Sequence, residues 1–245
     1  MHRRDLLKRS ALGMASVVLP LGRVQSVAAD IGMDPQLLKR LGACTPTDVL
    51  TRLMDGNARF AEAWTDSRAQ TSPQSRMQTL NRIWDNECQI DPVALTQGQK
   101  PFAATLSCAD SRVDPSWLFA CGSGELFEVR CAGNTAFDDA IASLEYAVSA
   151  LDTSLILVMG HSGCGAVQAA MADAPLTPLL EKLVTPIRAS LKSGDTLSQA
   201  VQGNARYAAG QLTLRSQVLN DASAQGQLTI RSAFVDIGTG VVTLL

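Results

Sequence analysis

Leu155-Ile156-Leu157-Val158-Met159-Gly160-His161-Ser162-Gly163-Cys164-Gly165 places five apolar residues in a row just ahead of an imidazole and a thiol three positions apart. An uninterrupted apolar run of this length reads as a strand buried on both faces, the kind found inside parallel sheets. Gly163 and Gly165 then permit a tight turn into a helix over 166–172. Upstream, Phe102 to Ser107 is a second short apolar run, and it too stops at a thiol, Cys108. Leu126 to Val129 reads as another strand, followed by the turn Ala132-Gly133-Asn134. Thr135 is placed to cap a helix whose apolar face is Ile141, Leu144, Val148 and Leu151, with Asp138 and Asp139 in its first turn, where the helix dipole favours negative charge. Strand–helix–strand order predicts an α/β fold with a mostly parallel central sheet flanked by helices. Ligands of such sheets gather beyond the carboxyl ends of the strands. Cys108 and His161 therefore fall on the same rim.

The chemistry of that rim follows from its residue types. Two sulfurs (Cys108, Cys164) and one ring nitrogen (His161) make a ligand set that zinc prefers, and three protein ligands leave a fourth position for water or substrate. The chain has two histidines, and His2 lies in a segment read below as removed. A three-histidine zinc site and a Ser-His-Asp triad built on a second histidine are thereby closed off. A Cys-His nucleophilic pair and a Cys108–Cys164 disulfide stay open on these residues alone. Asp110 and Arg112, beside Cys108, supply a carboxylate and a planar guanidinium that matches it.

The start of the chain reads as an export signal over 1–29. Arg3-Arg4 precedes Asp5-Leu6-Leu7-Lys8, then a mostly apolar run from Ala11 to Leu21, then Ser26-Val27-Ala28-Ala29. Charged, apolar and small-residue zones in that order fit a signal peptide, and the paired arginines point to the twin-arginine route. Residues 30–245 are expected to form a single catalytic domain in a periplasmic or otherwise exported protein. The other candidate, a membrane anchor, is too short for about 30 Å of hydrocarbon. Net charge is −2 and no basic stripe appears, which argues against a nucleic-acid partner. No later stretch is long enough to span a membrane. An oxidising compartment permits disulfides, but the pairing of Cys44, Cys88, Cys121 and Cys131 is not readable from order alone. Thr47 to Met54 reads as a short helix stopped by Gly56-Asn57 and resumed at Ala58–Ala61, the core of an N-terminal helical arm. Residues 65–99 read as irregular, with some helix around Met77 to Trp84.

Taken together, the motifs resemble the β-class carbonic anhydrases. Those that carry the resemblance are Cys-Ala-Asp-Ser-Arg-Val at 108–113, Gly-Glu-Leu-Phe-Glu-Val-Arg at 124–130, Ala132-Gly133-Asn134, Ser-Leu-Glu-Tyr-Ala-Val at 143–148 and Gly-His-Ser-Gly-Cys-Gly-Ala-Val at 160–167. Leu53-x-x-Gly56-Asn57-x-Arg59-Phe60, Gly98-Gln99-Lys100-Pro101 and Asp236-x-Gly238-Thr239-Gly240-x-Val242 extend it over nearly all of the chain beyond the signal.

The resemblance implies a lyase that reversibly hydrates carbon dioxide to bicarbonate and a proton, by attack of hydroxide held on zinc. It implies one zinc per subunit on Cys108, His161 and Cys164. Asp110 would accept a hydrogen bond from the zinc's water, or occupy the fourth position itself in a closed state, and Arg112 would draw it off the metal. Gln99, Phe127, Tyr146 and Gly165 match substrate-pocket positions, some contributed across the interface of a homodimer or larger homo-oligomer. Two departures stand out. Relatives commonly carry Asn where this chain has Cys131, and Cys121 adds a further thiol; inert packing, a competing ligand and half of a disulfide are the open readings, with inert packing favoured. Carbon disulfide or carbonyl sulfide hydrolysis on the same site, and a zinc or thiol module without catalysis, are the competing functions.

Overall fold

The computed structural model describes residues 34–245 apart from 86, 87 and 173, so the export-signal reading of 1–29 lies outside the described residues. Five strands form one sheet in the order β2-β1-β3-β4-β5, where β1 is Ala103–Ser107, β2 Leu126–Arg130, β3 Leu155–His161, β4 Thr229–Val235 and β5 Val242–Leu244. The first four are mutually parallel and β5 returns antiparallel to β4. The mostly parallel α/β architecture expected from the apolar runs is the one observed.

All seven residues of β3 are buried, which is why its sequence does not alternate. Leu157 and Met159 face one apolar core with Phe119, Val167 and Ile187, while Ile156 and Val158 face a second with Leu106, Leu144 and Leu212. Successive side chains of a strand point to opposite faces, so a strand covered on both sides must be apolar at every position.

Ten helices cover the described part of the sheet and form the arm: α1 Pro35–Leu41, α2 Val49–Arg68, α3 Pro73–Asn81, α4 Pro92–Leu95, α5 Pro115–Leu118, α6 Asp138–Leu151, α7 Gly165–Met171, α8 Pro178–Arg188, α9 Leu197–Arg215 and α10 Gln217–Ala224. Two expectations fail here. Gly56-Asn57 does not stop a helix; α2 runs through it. A Cβ on Gly56 would stand 1.9 Å from the Phe119 carbonyl oxygen, so the glycine is there for close approach of two backbones. Asn57 donates from Nδ2 to the Leu118 and Gly240 carbonyls (3.1 and 2.9 Å) and accepts from the Val242 N–H at 2.8 Å. Nor does Thr135 cap α6: the cap position falls to Phe137, which makes no side-chain capping bond. The Asp138 carboxylate in its first turn meets the Arg215 guanidinium instead.

The segment read as irregular holds more order than its composition suggests. Helix α3 begins at Pro73 behind a Ser72 cap, and α4 begins at Pro92 behind an Asp91 cap, both consistent with proline's preference for the first turn. A disulfide joins Cys44 to Cys88 beside a small cluster of Leu37, Leu41, Ile90 and Ala94. Cys108, Cys121, Cys131 and Cys164 remain thiols.

Candidate metal centre

Cys108 follows β1 by one residue, His161 is the last residue of β3, and Cys164 caps α7. Their ligand atoms all lie within 4.8 Å of one another, and all three residues are buried. The shared rim expected from the two apolar runs is therefore real, and the three side chains converge on one point. Among the described residues this is the single cluster of its kind.

Two of the three candidate ligands, His161 and Cys108, are held by a neighbour. The His161 Nδ1 lies 3.0 Å from the Ser162 carbonyl oxygen. A carbonyl only accepts, so Nδ1 carries the proton and Nε2 is left with a lone pair. That Nε2 is buried and makes no well-formed hydrogen bond, with the Cys108 sulfur and, at 3.9 Å, the Asp110 carboxylate facing it, an arrangement that is costly unless something electrophilic meets it. Ser162 is itself pinned, its hydroxyl accepting the Ile237 N–H at 3.0 Å. The Cys108 sulfur accepts the Gly133 N–H at 3.3 Å. The loop from Cys108 to Asp114 is clamped by Arg130, which donates to the carbonyls of Cys108 (3.2 Å), Asp110 (2.9 Å) and Val113 (3.4 Å) and pairs with Asp114.

The electrostatics place one negative charge where two would be needed. Hydrogen bonding from the Cys164 thiol, opposed by burial and aided by His161 and the Gly133 amide, pulls Cys108 well below an ordinary thiol. Cys164 is pushed up, first by that shared hydrogen bond and then by burial, although the amides of Ala166 and Val167 favour its thiolate. A helix N-terminus alone lowers a thiol's pKa; here the adjacent sulfur outweighs it. Two sulfurs this close cannot both ionise without a cation between them. For His161, burial disfavours the charged ring, but the Cys108 hydrogen bond and charge more than offset it and raise its pKa. A buried donor set of two sulfurs and an unpaired imidazole nitrogen thus fits a soft divalent cation.

Asp110 and Arg112 sit at the edge of this centre. Arg112 donates from Nε to Oδ1 at 2.8 Å and from Nη2 to Oδ2 at 2.6 Å, and its backbone N–H reaches Oδ1 at 3.0 Å. The Arg112 hydrogen bond holds Asp110 far below the usual carboxylate range, against a smaller desolvation cost.

The substrate positions carried over from the resemblance are not gathered by one chain. Gln99 is exposed and lies four residues ahead of β1, nine ahead of Cys108, so it stands beyond the opposite end of that strand. Phe127 and Tyr146 touch each other, with ring centroids 6.2 Å apart, and Tyr146 is 48% exposed. Gly165 lies next to Cys164 with open space where a Cβ would be. Cys131 is half-buried and bonded to Thr135, its thiol pushed up by burial. Cys121 donates to the Phe119 carbonyl.

Residues 103–242 match the family model described as carbonic anhydrase. The chain belongs to the carbonic anhydrase family. It is 31% identical over 210 residues to a carbonic anhydrase of Mycolicibacterium smegmatis, covering 81% of this chain and 93% of that one. It is 29% identical over 208 residues to carbonic anhydrase 2 of Mycobacterium tuberculosis, covering 81% and 92%. Among solved structures, the β-carbonic anhydrase of Coccomyxa superposes with a TM-score of 0.54 at 29% identity, covering 71% of this chain and 87% of that one. The β-carbonic anhydrase CafA of Aspergillus fumigatus does so at 0.57 and 25%, covering 62% and 79%. The enzyme thus has the β-class fold, and its Cys-His-Cys cluster stands at the carboxyl ends of β1 and β3.

Sequence reading missed three supporting groups: the Gly133 amide on Cys108, the Ser162 carbonyl on His161, and Asn204. Asn204 is 1% exposed and donates to the Gly133 carbonyl at 2.8 Å. Its signal was available, since it is a polar residue on the buried face that Ala200, Val201, Ala205, Ala208 and Leu212 mark along α9.

Proposed function

We propose that this carbonic anhydrase reversibly hydrates carbon dioxide to bicarbonate and a proton, with one zinc ion per chain held by Cys108, His161 and Cys164. The observation that carries the reading is the convergence of three buried donor atoms within 4.8 Å, beside a carboxylate held ionised by a guanidinium. Zinc, when bound there, would supply Lewis acidity, lowering the pKa of water toward about 7. Everything else falls to the protein.

Asp110 is the acceptor that orients the attacking water. Its Oδ1 is occupied by two donors from Arg112 and its Oδ2 by one, which leaves a lone pair on Oδ2 for a water proton. Arg112 keeps that carboxylate anionic and fixes its direction. In the reaction a water oxygen forms a bond to the carbon of carbon dioxide, one C=O electron pair moves onto oxygen, and one proton leaves. His161 is committed to the cluster through Nε2 and to Ser162 through Nδ1, so it does not carry that proton. The proton leaves through water to buffer.

The substrate pocket is completed by a second copy. Phe127 and Tyr146 lie on β2, the outer strand of the sheet, and on the neighbouring α6, and pairing of two such faces brings Gln99 and Tyr146 of one copy toward the centre of the other. The tetrameric β-carbonic anhydrases of Sordaria macrospora, which share the fold at a TM-score of 0.57 and 22% identity, are consistent with assembly of this kind. Residues 30–245 act as one exported catalytic domain released from the 1–29 signal; the Cys44–Cys88 disulfide supports an oxidising destination.

Metal analysis with stopped-flow hydration tests the central reading. Stoichiometric zinc and buffer-dependent carbon dioxide hydration are expected. A metal-free chain, or a zinc protein that turns over carbon disulfide and leaves carbon dioxide untouched, would overturn it. Sedimentation of the purified enzyme tests the assembly, and cell fractionation tests the export.

A further inference from the structure

The turn from Cys131 to Asn134 carries a backbone amide that reaches the Cys108 sulfur from outside its own loop, at 3.3 Å. Gly133, in the middle of that turn, has φ +74°, a left-handed conformation that glycine adopts without strain but does not hold by itself, since its backbone is freer than that of any other residue. The turn is closed by the Asn134 N–H donating to the Cys131 carbonyl at 3.1 Å. It is packed from outside by Ile187 and Ala166, which leave no room for a Cβ on Gly133. Its remaining handle is the Gly133 carbonyl, and that oxygen receives the side-chain amide of Asn204 at 2.8 Å across a sequence separation of 71 residues.

Asn204 is a polar residue on the buried face of an otherwise alanine-rich helix. Burying an amide there is unfavourable unless it is hydrogen-bonded, so the contact to Gly133 is what the position provides. The N–H and the C=O of Gly133 belong to two successive peptide planes hinged at its Cα. Pinning the carbonyl therefore restricts the hinge that aims the N–H. We propose that Asn204 is a positioning residue for the metal centre: by holding the Gly133 carbonyl it keeps the Gly133 N–H on the Cys108 sulfur and so sets how firmly that sulfur holds a soft divalent cation. The inference rests on the metal reading above. Partners one layer out from a metal ligand commonly change metal affinity by about 10- to 100-fold when removed.

The test compares the wild type with Asn204→Leu, which keeps the volume and removes the donor, and with Asn204→Ser, whose hydroxyl is too short to reach Gly133. Leu212→Ala, on the same helix but in the opposite core, controls for general destabilisation. Two readouts are taken: zinc retention against a competing chelator, and the thiolate-to-cobalt charge-transfer absorption of the cobalt-substituted protein. Zinc retention should fall about tenfold in both Asn204 variants, and the charge-transfer band should shift. Leu212→Ala should leave both readouts at wild-type values. If either folded Asn204 variant matches the wild type in affinity and band, or if Leu212→Ala moves both readouts as far, the positioning role is overturned. Should the wild type itself bind neither metal, the metal reading falls and this role with it. That outcome is distinct from failure of the Asn204 variants alone.

Discussion

The Asp110 Oδ2 stands 3.9 Å from the His161 Nε2 while the same carboxylate is gripped by the forked guanidinium of Arg112. In the proposed mechanism that distance lets Asp110 serve the centre while Arg112 holds it back from joining it. Removing the grip should release Asp110 toward the cluster. Arg112→Ala is therefore expected to lower kcat/KM by about 10- to 100-fold, the equivalent of roughly 1.5–3 kcal/mol for hydrogen bonds to a charged group. Zinc content should be unchanged. Stopped-flow hydration alongside metal analysis checks both, and undiminished turnover would remove Arg112 from the mechanism.

Cys164→Ser removes one of three donors and leaves Cys108 and His161 to hold the cation alone. Metal content after dialysis should fall well below one per chain, and hydration should fall to the buffer background. Exhaustive chelation of the wild type should do the same, with activity returning on readdition of zinc. A Cys164→Ser protein that keeps full zinc would refute the ligand assignment.

The Asp110 carboxyl is held below its ordinary value by Arg112, so its contribution to stability has a definite sign with pH. A group whose pKa is depressed on folding stabilises the native state above its unfolded value, near 3.9, and loses that contribution as pH falls toward the folded value. Metal-free wild type should exceed metal-free Asp110→Asn in urea midpoint at pH 6, and the gap should narrow progressively below about pH 4. Both side chains are partly solvated, Arg112 by 52%, so the gap should be small. A gap that widens in acid would contradict the ion pair.

Gly56→Ala places a methyl group 1.9 Å from a backbone oxygen that cannot step aside. Such overpacking is expected to cost about 3 kcal/mol, read as a lower urea midpoint with an unchanged slope. A variant of wild-type stability would show that α2 and the segment after α5 can separate freely.

The Cys44–Cys88 bridge spans a sequence separation of 44 residues. Closing a loop of this size stabilises by about 2–4 kcal/mol. Cys44→Ser should lower the Tm measurably while leaving hydration at 25 °C intact, because no residue of the metal centre lies in the bridged segment. Loss of activity in the folded variant would tie the arm to the centre.

The centre was far more legible than its surroundings. Cys108, His161 and Cys164 declared themselves because apolar runs marked β1 and β3, and strand order then placed their ends together. Helix α2 was misread because glycine ordinarily weakens a helix, and nothing local reveals that the Phe119 carbonyl needs the space at Gly56. The cap of α6 was misplaced because Thr135 offers the right side chain two residues too early, while the observed cap, Phe137, offers no capping oxygen. Helix is found where some was expected, around Met77 to Trp84, but the start of α3 at Pro73 and all of 92–95 looked irregular through their polarity. Their proline-led starts behind Ser72 and Asp91 were the overlooked signals. Gln99 and Tyr146 could not be placed by pattern, because their proposed role depends on a second copy.

Asn57 clasps positions 183 and 185 residues further along, at Gly240 and Val242. At about 5–20 residues per second of synthesis, helix α2 leaves the ribosome roughly 10–40 seconds before the atoms it must grip exist. Through that interval Asn57 can reach the Leu118 carbonyl, 61 residues on, but its bonds to Gly240 and Val242 are still missing. The first long helix among the described residues is therefore fully fastened only when the last strand arrives, and a chain cut short before Gly240 would leave Asn57 half-bonded even with every donor of the metal cluster already made.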